Sequence, residues 1–177
     1  MSEKLPSREQ ALQLLHETTC SVRVIRHCKA VAKLAVETAE VCKRKGYDVD
    51  VALVEIGALL HDIGRSRTHT VHHAIVGAEI AESAGLPKLV VSIIKRHVGG
   101  GITRSDAEKL GWPSDDVYVP VTLEEKIVSY ADKLVEGTSR VRVEMVIEQL
   151  SRDFLPEAAE RVRRLNGEIV GLVGDGS

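Results

Sequence analysis

Aromatic side chains are scarce: Phe, Trp and Tyr together make up 3% of the 177 residues. A core with so few rings has to be filled by Leu, Val, Ile and Ala. Cysteine is equally sparse. Cys20, Cys28 and Cys42 are odd in number and form no C-x-x-C pair, which excludes a disulfide framework and fits reduced thiols in a cytoplasmic setting. There is no excess of positive charge either. Lys and Arg number 24 against 26 Asp and Glu, a net charge of −2. That balance excludes a global nucleic-acid footprint and leaves room only for a local basic patch. No apolar run approaches the ~18 residues of a membrane span. The opening MSEKLPSREQ lacks the apolar segment of a secretory signal. The expectation is a soluble protein with no membrane partner.

What is present is helical periodicity. A chain of this length suits one domain, since domains run roughly 100–200 residues. Ser7 and Gln10 form a capping box ahead of Ala11, Leu14 and Leu15. Apolar spacing near 3.6 continues through Val22, Ile25, Ala32, Ala35, Ala39 and Cys42, with Gly46 as the stop. Asp48 or Asp50 caps the next helix, which ends near Gly64. Further helices are predicted over 72–84, 89–97, a short stretch capped by Ser105 and Glu108, and 122–136 capped by Thr122 and Glu125. The last two are placed at 141–150 and 156–165, the former weakened by its β-branched residues. Residues 167–177 are glycine-rich and read as a flexible tail. The GLVGDG within it has a phosphate loop's glycines without the helix such a loop must precede. No alternating strand pattern of any length appears, so the fold class is all-α.

The residues that carry chemistry sit where helices should be apolar. In LLHDIGRSRTHTVHHAIVGAEIAE, Leu59 to Glu82, an apolar helix runs into His61 and Asp62. A buried, unpaired carboxylate costs several kcal/mol, on the order of 2–7 even for a neutral polar group, so it calls for a cation or donors. His27 lies among Val24, Ile25, Val31 and Ala32, and His97 ends the apolar VVSIIKRH. Asp132 interrupts IVSYADKLV. His73 and Gly77, four apart, share a helix face, and Gly77-Ala78 permits a close approach by a neighbour. Any one of these has an ordinary reading as a satisfied core or cap residue; five helices that each present a metal-type ligand do not.

The ordered set H…HD…H…H…D, with HDIG at His61–Gly64, H-x-x-x-G-A from His73 and A-D-K around Asp132, resembles the HD-domain metal-dependent phosphohydrolases, in particular small stand-alone archaeal members. The resemblance covers residues 21–137, with C-terminal helices at 141–166, in one domain spanning 1–177. It implies a helical bundle with a metal site between helices. It further implies that His27, His61, Asp62 and Asp132 bind a first divalent metal and that Asp62 bridges to a second, completed by His73 and His97. Such nitrogen and oxygen donors suit Fe, Mn, Ni, Co or Zn, one or two ions per chain. The implied reaction is attack of metal-activated hydroxide on a small phosphoester, a nucleotide by preference. Arg65 and Lys133 occupy positions where family members hold phosphate, which makes them, with Asp62, the catalytic candidates. Arg96 and His69 are candidates for substrate binding, with Lys95 and Arg67 on a basic rim. His72 lies about 100° around the helix from His73 and is assigned to solvent or a supporting role. His16 falls outside the pattern. Two other functions share the ligand set: a di-iron oxygenase and a non-catalytic nucleotide sensor. The C-terminal helices offer a possible homodimer face.

Overall fold

The computed structural model describes residues 4–113, 115–153 and 155–174. Among them are nine α-helices: α1 (Arg8–Glu17), α2 (Val22–Arg44), α3 (Val51–Leu60), α4 (His73–Ser83), α5 (Lys88–Arg96), α6 (Arg104–Leu110), α7 (Leu123–Lys133), α8 (Val143–Arg152) and α9 (Pro156–Val173). A two-residue hairpin, β1 (Val135–Glu136) with β2 (Ser139–Arg140), follows α7. Short 3-10 turns lie at Ile63–Ser66 and Val98–Gly100. The molecule is all-α, and no described helix is long and apolar enough to cross a membrane.

Helix starts follow local chemistry. The capping boxes Ser7–Gln10 and Thr122–Glu125 both form, and Asp50 caps α3 by accepting from Leu53 N. The predicted Ser105–Glu108 box does not form. Thr103 caps α6 two residues earlier, accepting from Asp106 N, because the Ile102–Tyr118 bridge fixes the chain's entry into that helix. The tail is also corrected. Instead of fraying from Gly167, α9 runs on to Val173, with Ile169 fully buried and Val173 8% exposed; residues 175–177 of the predicted tail lie outside the described ones. The hairpin was not expected, since two-residue strands are too short to show alternation.

α3 is apolar apart from Glu55, which pairs with Arg8 at its outer edge, and it is buried throughout its second half, from Ile56 to Leu60. It packs between α2, α5 and α7, and α9 closes the far side against α7 and α2. Ala32, Ala35, Ala39 and Ala58 are essentially fully buried, so the helices approach closely without rings between them. A smaller cluster, Ala74, Ile102, Ala107, Trp112 and Tyr118, covers α4 and gathers two of the few aromatic side chains. All three cysteines are free and buried. The helix ends that matter converge on one place: the C-termini of α3, α5 and α7, the start of α4 and the first turns of α2.

Candidate metal centre

Asp62 sits immediately after α3, where Ile63–Ser66 turns the chain. The turn is held against α4 by two glycines. A Cβ on Gly64 would lie 1.9 Å from the His73 carbonyl oxygen and 2.6 Å from Gly77 N. Backbone therefore meets backbone, and this contact brings Asp62 to His73. The two glycines of HDIG and H-x-x-x-G-A are two sides of one contact.

Five side chains converge around Asp62. On one side, Asp62 Oδ1 lies 3.1 Å from His73 Nε2 and 3.5 Å from His97 Nε2, and those two nitrogens are 3.0 Å apart. On the other, Asp62 Oδ2 lies 3.7 Å from His61 Nε2 and 3.9 Å from His27 Nε2. Asp132 Oδ1 completes that side at 3.1 Å from His27 Nε2 and 3.3 Å from His61 Nε2. The donor triads His27–His61–Asp62, His61–His97–Asp132 and Asp62–His73–His97 each lie within 4.8 Å.

Every imidazole of the set is oriented by its other nitrogen. Nδ1–H of His27 donates to Gly137 O at 2.9 Å, that of His61 to Ala58 O, that of His73 to Thr70 O and that of His97 to Ile94 O, the last three at 2.7 Å. A carbonyl only accepts, so Nδ1 carries the proton and each Nε2 turns a lone pair inward. Ser129, fully buried on α7, donates to the His97 carbonyl at 2.9 Å and ties the end of α5 in place.

Lone pairs and carboxylate oxygens thus face one another in a buried space. Among the described residues, His61 Nε2 and Asp62 Oδ1 have no hydrogen-bond partner, and His61 is 0% exposed. Orphaned buried polar atoms are costly, and a single cation placed between them satisfies both at once. The electrostatics agree. Burial opposes charge on Asp62, yet His61, His73 and His97 together hold its carboxyl well below the usual range. Burial likewise opposes Asp132, which Lys133, His27 and His61 hold well down. Burial also works against a charged His61, but Asp62, Cys28 and Asp132 together outweigh it and raise its pKa well above the ordinary imidazole value, so that without a metal ion a proton takes the place of the Nε2 lone pair. At His97 burial wins and pushes the pKa down to about 4. The cluster keeps two carboxylates ionised and calls for positive charge between them, so its donors fit a metal ion.

A cleft of about 330 Å³ opens onto this centre, lined by Arg23, Val24, His27, Asp62, Arg65 and His69 among others. Arg65 Nε donates to Asp62 Oδ2 at 2.7 Å and its Nη1 to the His69 carbonyl at 3.3 Å. Lys133 Nζ lies 3.2 Å from the outer oxygen of Asp132. The predicted Arg65 and His69 therefore share the cleft, and Lys133 touches a member of the cluster. Arg96 is elsewhere. Its guanidinium pairs with buried Glu125 at 2.8 and 3.1 Å and donates to Val117 O. Lys95 likewise pairs with Asp116, while Arg67 is exposed in the turn before α4. His72 is exposed, and its Nδ1 accepts from Trp112 Nε1 at 2.7 Å. His16 is exposed near the end of α1. Sequence reasoning passed over Gly137, whose carbonyl orients His27, and Arg23, which lines the cleft. Arg23 had a signal: it stands four residues before His27 and so shares its helix face.

Residues 24–137 match the HD-domain family. An uncharacterized protein of Methanocaldococcus jannaschii is 47% identical over 167 residues, 93% of this chain and 98% of that protein. A tRNA (cytidine(56)-2'-O)-methyltransferase of Thermoplasma volcanium is 40% identical over 170 residues, covering 96% of this chain but 48% of the enzyme. A Ribonuclease Y of Acidothermus cellulolyticus is 31% identical over 160 residues, 86% of this chain and 28% of its own length. The chain thus spans about half of the methyltransferase and less of the ribonuclease. Among solved structures, the HD domain of the L. monocytogenes phosphodiesterase PgpH, in complex with cyclic-di-AMP, has the same fold, with a TM-score of 0.55 and 18% identity over 95% of this chain and 99% of that one.

Proposed function

Because the chain belongs to the HD-domain family, we propose that it is a metal-dependent phosphohydrolase acting on a phosphoester, with nucleotides as the substrate class. The observation that carries this reading is the convergence of His27, His61, Asp62, His73, His97 and Asp132, with His61 Nε2 and Asp62 Oδ1 lacking a hydrogen-bond partner among the described residues. His27, His61, Asp62 and Asp132 would hold one divalent transition metal ion and Asp62, His73 and His97 a second; Fe, Mn, Ni, Co and Zn all suit such donors. When bound, such an ion polarises a phosphoryl oxygen and makes water acidic enough to serve as the nucleophile near neutral pH.

The chain's own groups would do the rest. The four Nδ1–H bonds to carbonyls hold the imidazoles in one tautomer, so the donors need no rearrangement. Arg65 keeps N–H groups beyond the one given to Asp62 and would take up phosphoryl oxygens where negative charge develops. His69, at the mouth, would hydrogen-bond the substrate, and Lys133 would steady Asp132 as an anion. α8 and α9 are treated as part of the same domain, a reading supported by the packing of α9 on α7 and α2. The cyclic-di-AMP bound to the Listeria HD domain supports a nucleotide ligand. Ribonuclease Y and the tRNA methyltransferase are named for RNA, which brings RNA phosphodiesters into the same class. Methyl transfer is not proposed, since the buried donor set is that of a metal centre.

The test starts with metal content per chain by elemental analysis, on protein purified without chelator or metal-affinity tag. Bis(p-nitrophenyl) phosphate, p-nitrophenyl phosphate, mononucleotides and cyclic dinucleotides are then assayed with Mn, Ni, Co or Zn. Metal-dependent hydrolysis that disappears in Asp62→Ala is the expected result. A metal-loaded protein that turns over none of these, or full activity in Asp62→Ala, would overturn the proposal. Oxygen uptake by an iron-loaded protein would point to the oxygenase instead.

A further inference from the structure

α2 carries His27 on one edge and a row of cations on its solvent side. Arg23, Arg26, Lys29 and Lys33 are all exposed, and among the described residues none of the four has an ion-pair or hydrogen-bond partner. Several exposed arginines on other helices are matched: Arg104 by Glu108, Arg152 by Glu148, Arg163 and Arg164 by Glu160. At about 100° per residue the four fall within an arc of about 120°, and at ~1.5 Å per residue they span about 15 Å of the axis. The first turn of α2 contains no acidic residue. Cations there oppose the helix dipole, and like charges three and four apart repel one another. The row works against the helix that bears it. The charge reverses at exposed Glu37, which ends the row.

One end of the row enters the cleft. Arg23 lines it together with His27, Asp62 and Arg65. A free nucleotide whose phosphate sits at the centre leaves Lys33, about 15 Å along the axis from Arg23, with nothing to bind. A strand carries a phosphate on every residue and meets the whole row. The cations stand in file rather than in a flat patch, and a cleft of about 330 Å³ has no room for a duplex.

We infer that the exposed face of α2 is a track for a single-stranded polynucleotide, which leads one phosphodiester into the cleft beside Arg65. The row is a binding surface in its own right; only the fate of the phosphodiester rests on the phosphohydrolase reading. The experiment uses the full-length, Mn-loaded protein and fluorescence anisotropy. The probe is a labelled single-stranded RNA of about twelve nucleotides, within the ~4–16 that such surfaces cover, compared with a labelled dinucleotide. The variant is Arg26→Glu/Lys29→Glu/Lys33→Glu, three exposed positions outside the cleft, with its fold checked by circular dichroism.

The RNA is expected to bind about tenfold or more tightly than the dinucleotide, with affinity falling as salt rises. In the variant the slope of log K against log salt should drop by about 2, given about 0.7 per phosphate contact. Hydrolysis of bis(p-nitrophenyl) phosphate should be unchanged. Equal affinity for RNA and dinucleotide, undiminished RNA binding in the variant, or capture by phosphatidylserine vesicles in place of RNA would each overturn the track. Row-dependent RNA binding without hydrolysis of any ester would uphold the track and sink the hydrolase. Ester hydrolysis without row-dependent RNA binding would do the reverse.

Discussion

His72 and His73 are adjacent in the chain and opposite in chemistry. His73 gives its Nδ1–H to Thr70 O and turns Nε2 toward Asp62, whereas His72 accepts at Nδ1 from Trp112. One is set up to ligate and the other to support the α4–Trp112 contact. His73→Ala should therefore lower bound metal per chain, read by elemental analysis, while His72→Ala leaves it unchanged and shifts the emission of the chain's one tryptophan. Loss of metal in His72→Ala with retention in His73→Ala would reverse the roles. The ligand types were legible in the sequence because each stands out against an apolar stretch. The orienting carbonyls were not: Gly137 meets His27 across 110 residues. Arg96 was expected on a basic rim that binds substrate, whereas its guanidinium pairs with Glu125, which is 4% exposed. Arg96→Ala should cost about 3 kcal/mol, as breaking a buried ion pair does. For a chain of this size that is a Tm lower by roughly 6–12 °C. KM should not change; a raised KM at unchanged Tm would return Arg96 to the substrate.

Among the elements, the contact between the Ile63–Ser66 turn and α4 fixes the centre. Gly77 could be read as permitting a close approach, but its pairing with Gly64 could not, since it needs the chain to fold back. Gly64→Ala puts a methyl 1.9 Å from the His73 carbonyl, and that backbone has to move. Overpacking of this kind costs about 1–3 kcal/mol. Differential scanning calorimetry should show a lower Tm, and because Asp62 and His73 move apart, metal affinity should fall with it. Gly171→Ala is the control. It is exposed within α9 with open space where its methyl would go, so it should gain about 0.5–1 kcal/mol. Equal effects at the two glycines would mean that the turn–α4 contact has no special tightness. Cap chemistry was legible where side chain and spacing agreed, as at Thr122–Glu125. It failed at α6, where Ser105 was the expected cap and Thr103 takes that place beside the bridge from Ile102 to Tyr118, remote in sequence.

For the molecule as a whole, glycine content misled at one end and the ligand pattern informed at the other. Gly167 and Gly171 suggested a loose tail, yet Leu165, Ile169 and Val173 keep a helical stripe that seals the core. The centre, by contrast, ties α2, α3, α4, α5 and α7 together through one residue each or the residue at its end. Those ligands lie far apart in an unfolded chain, so an ion held there binds the native state almost exclusively and stabilises it by mass action. At free metal a thousandfold above Kd the gain is about 4 kcal/mol. For a protein of this size that corresponds to roughly 8–16 °C in Tm. Exhaustive chelation should therefore lower the melting temperature of the wild-type protein by that order, and restoring Mn or Ni should recover it. In Asp62→Ala, which removes the residue common to both sides of the centre, chelator and added metal should leave the melting temperature where it was. A wild-type Tm that ignores chelator would mean that no ion links these helices, and the buried lone pairs of His61, His73 and His97 would then need a proton in its place.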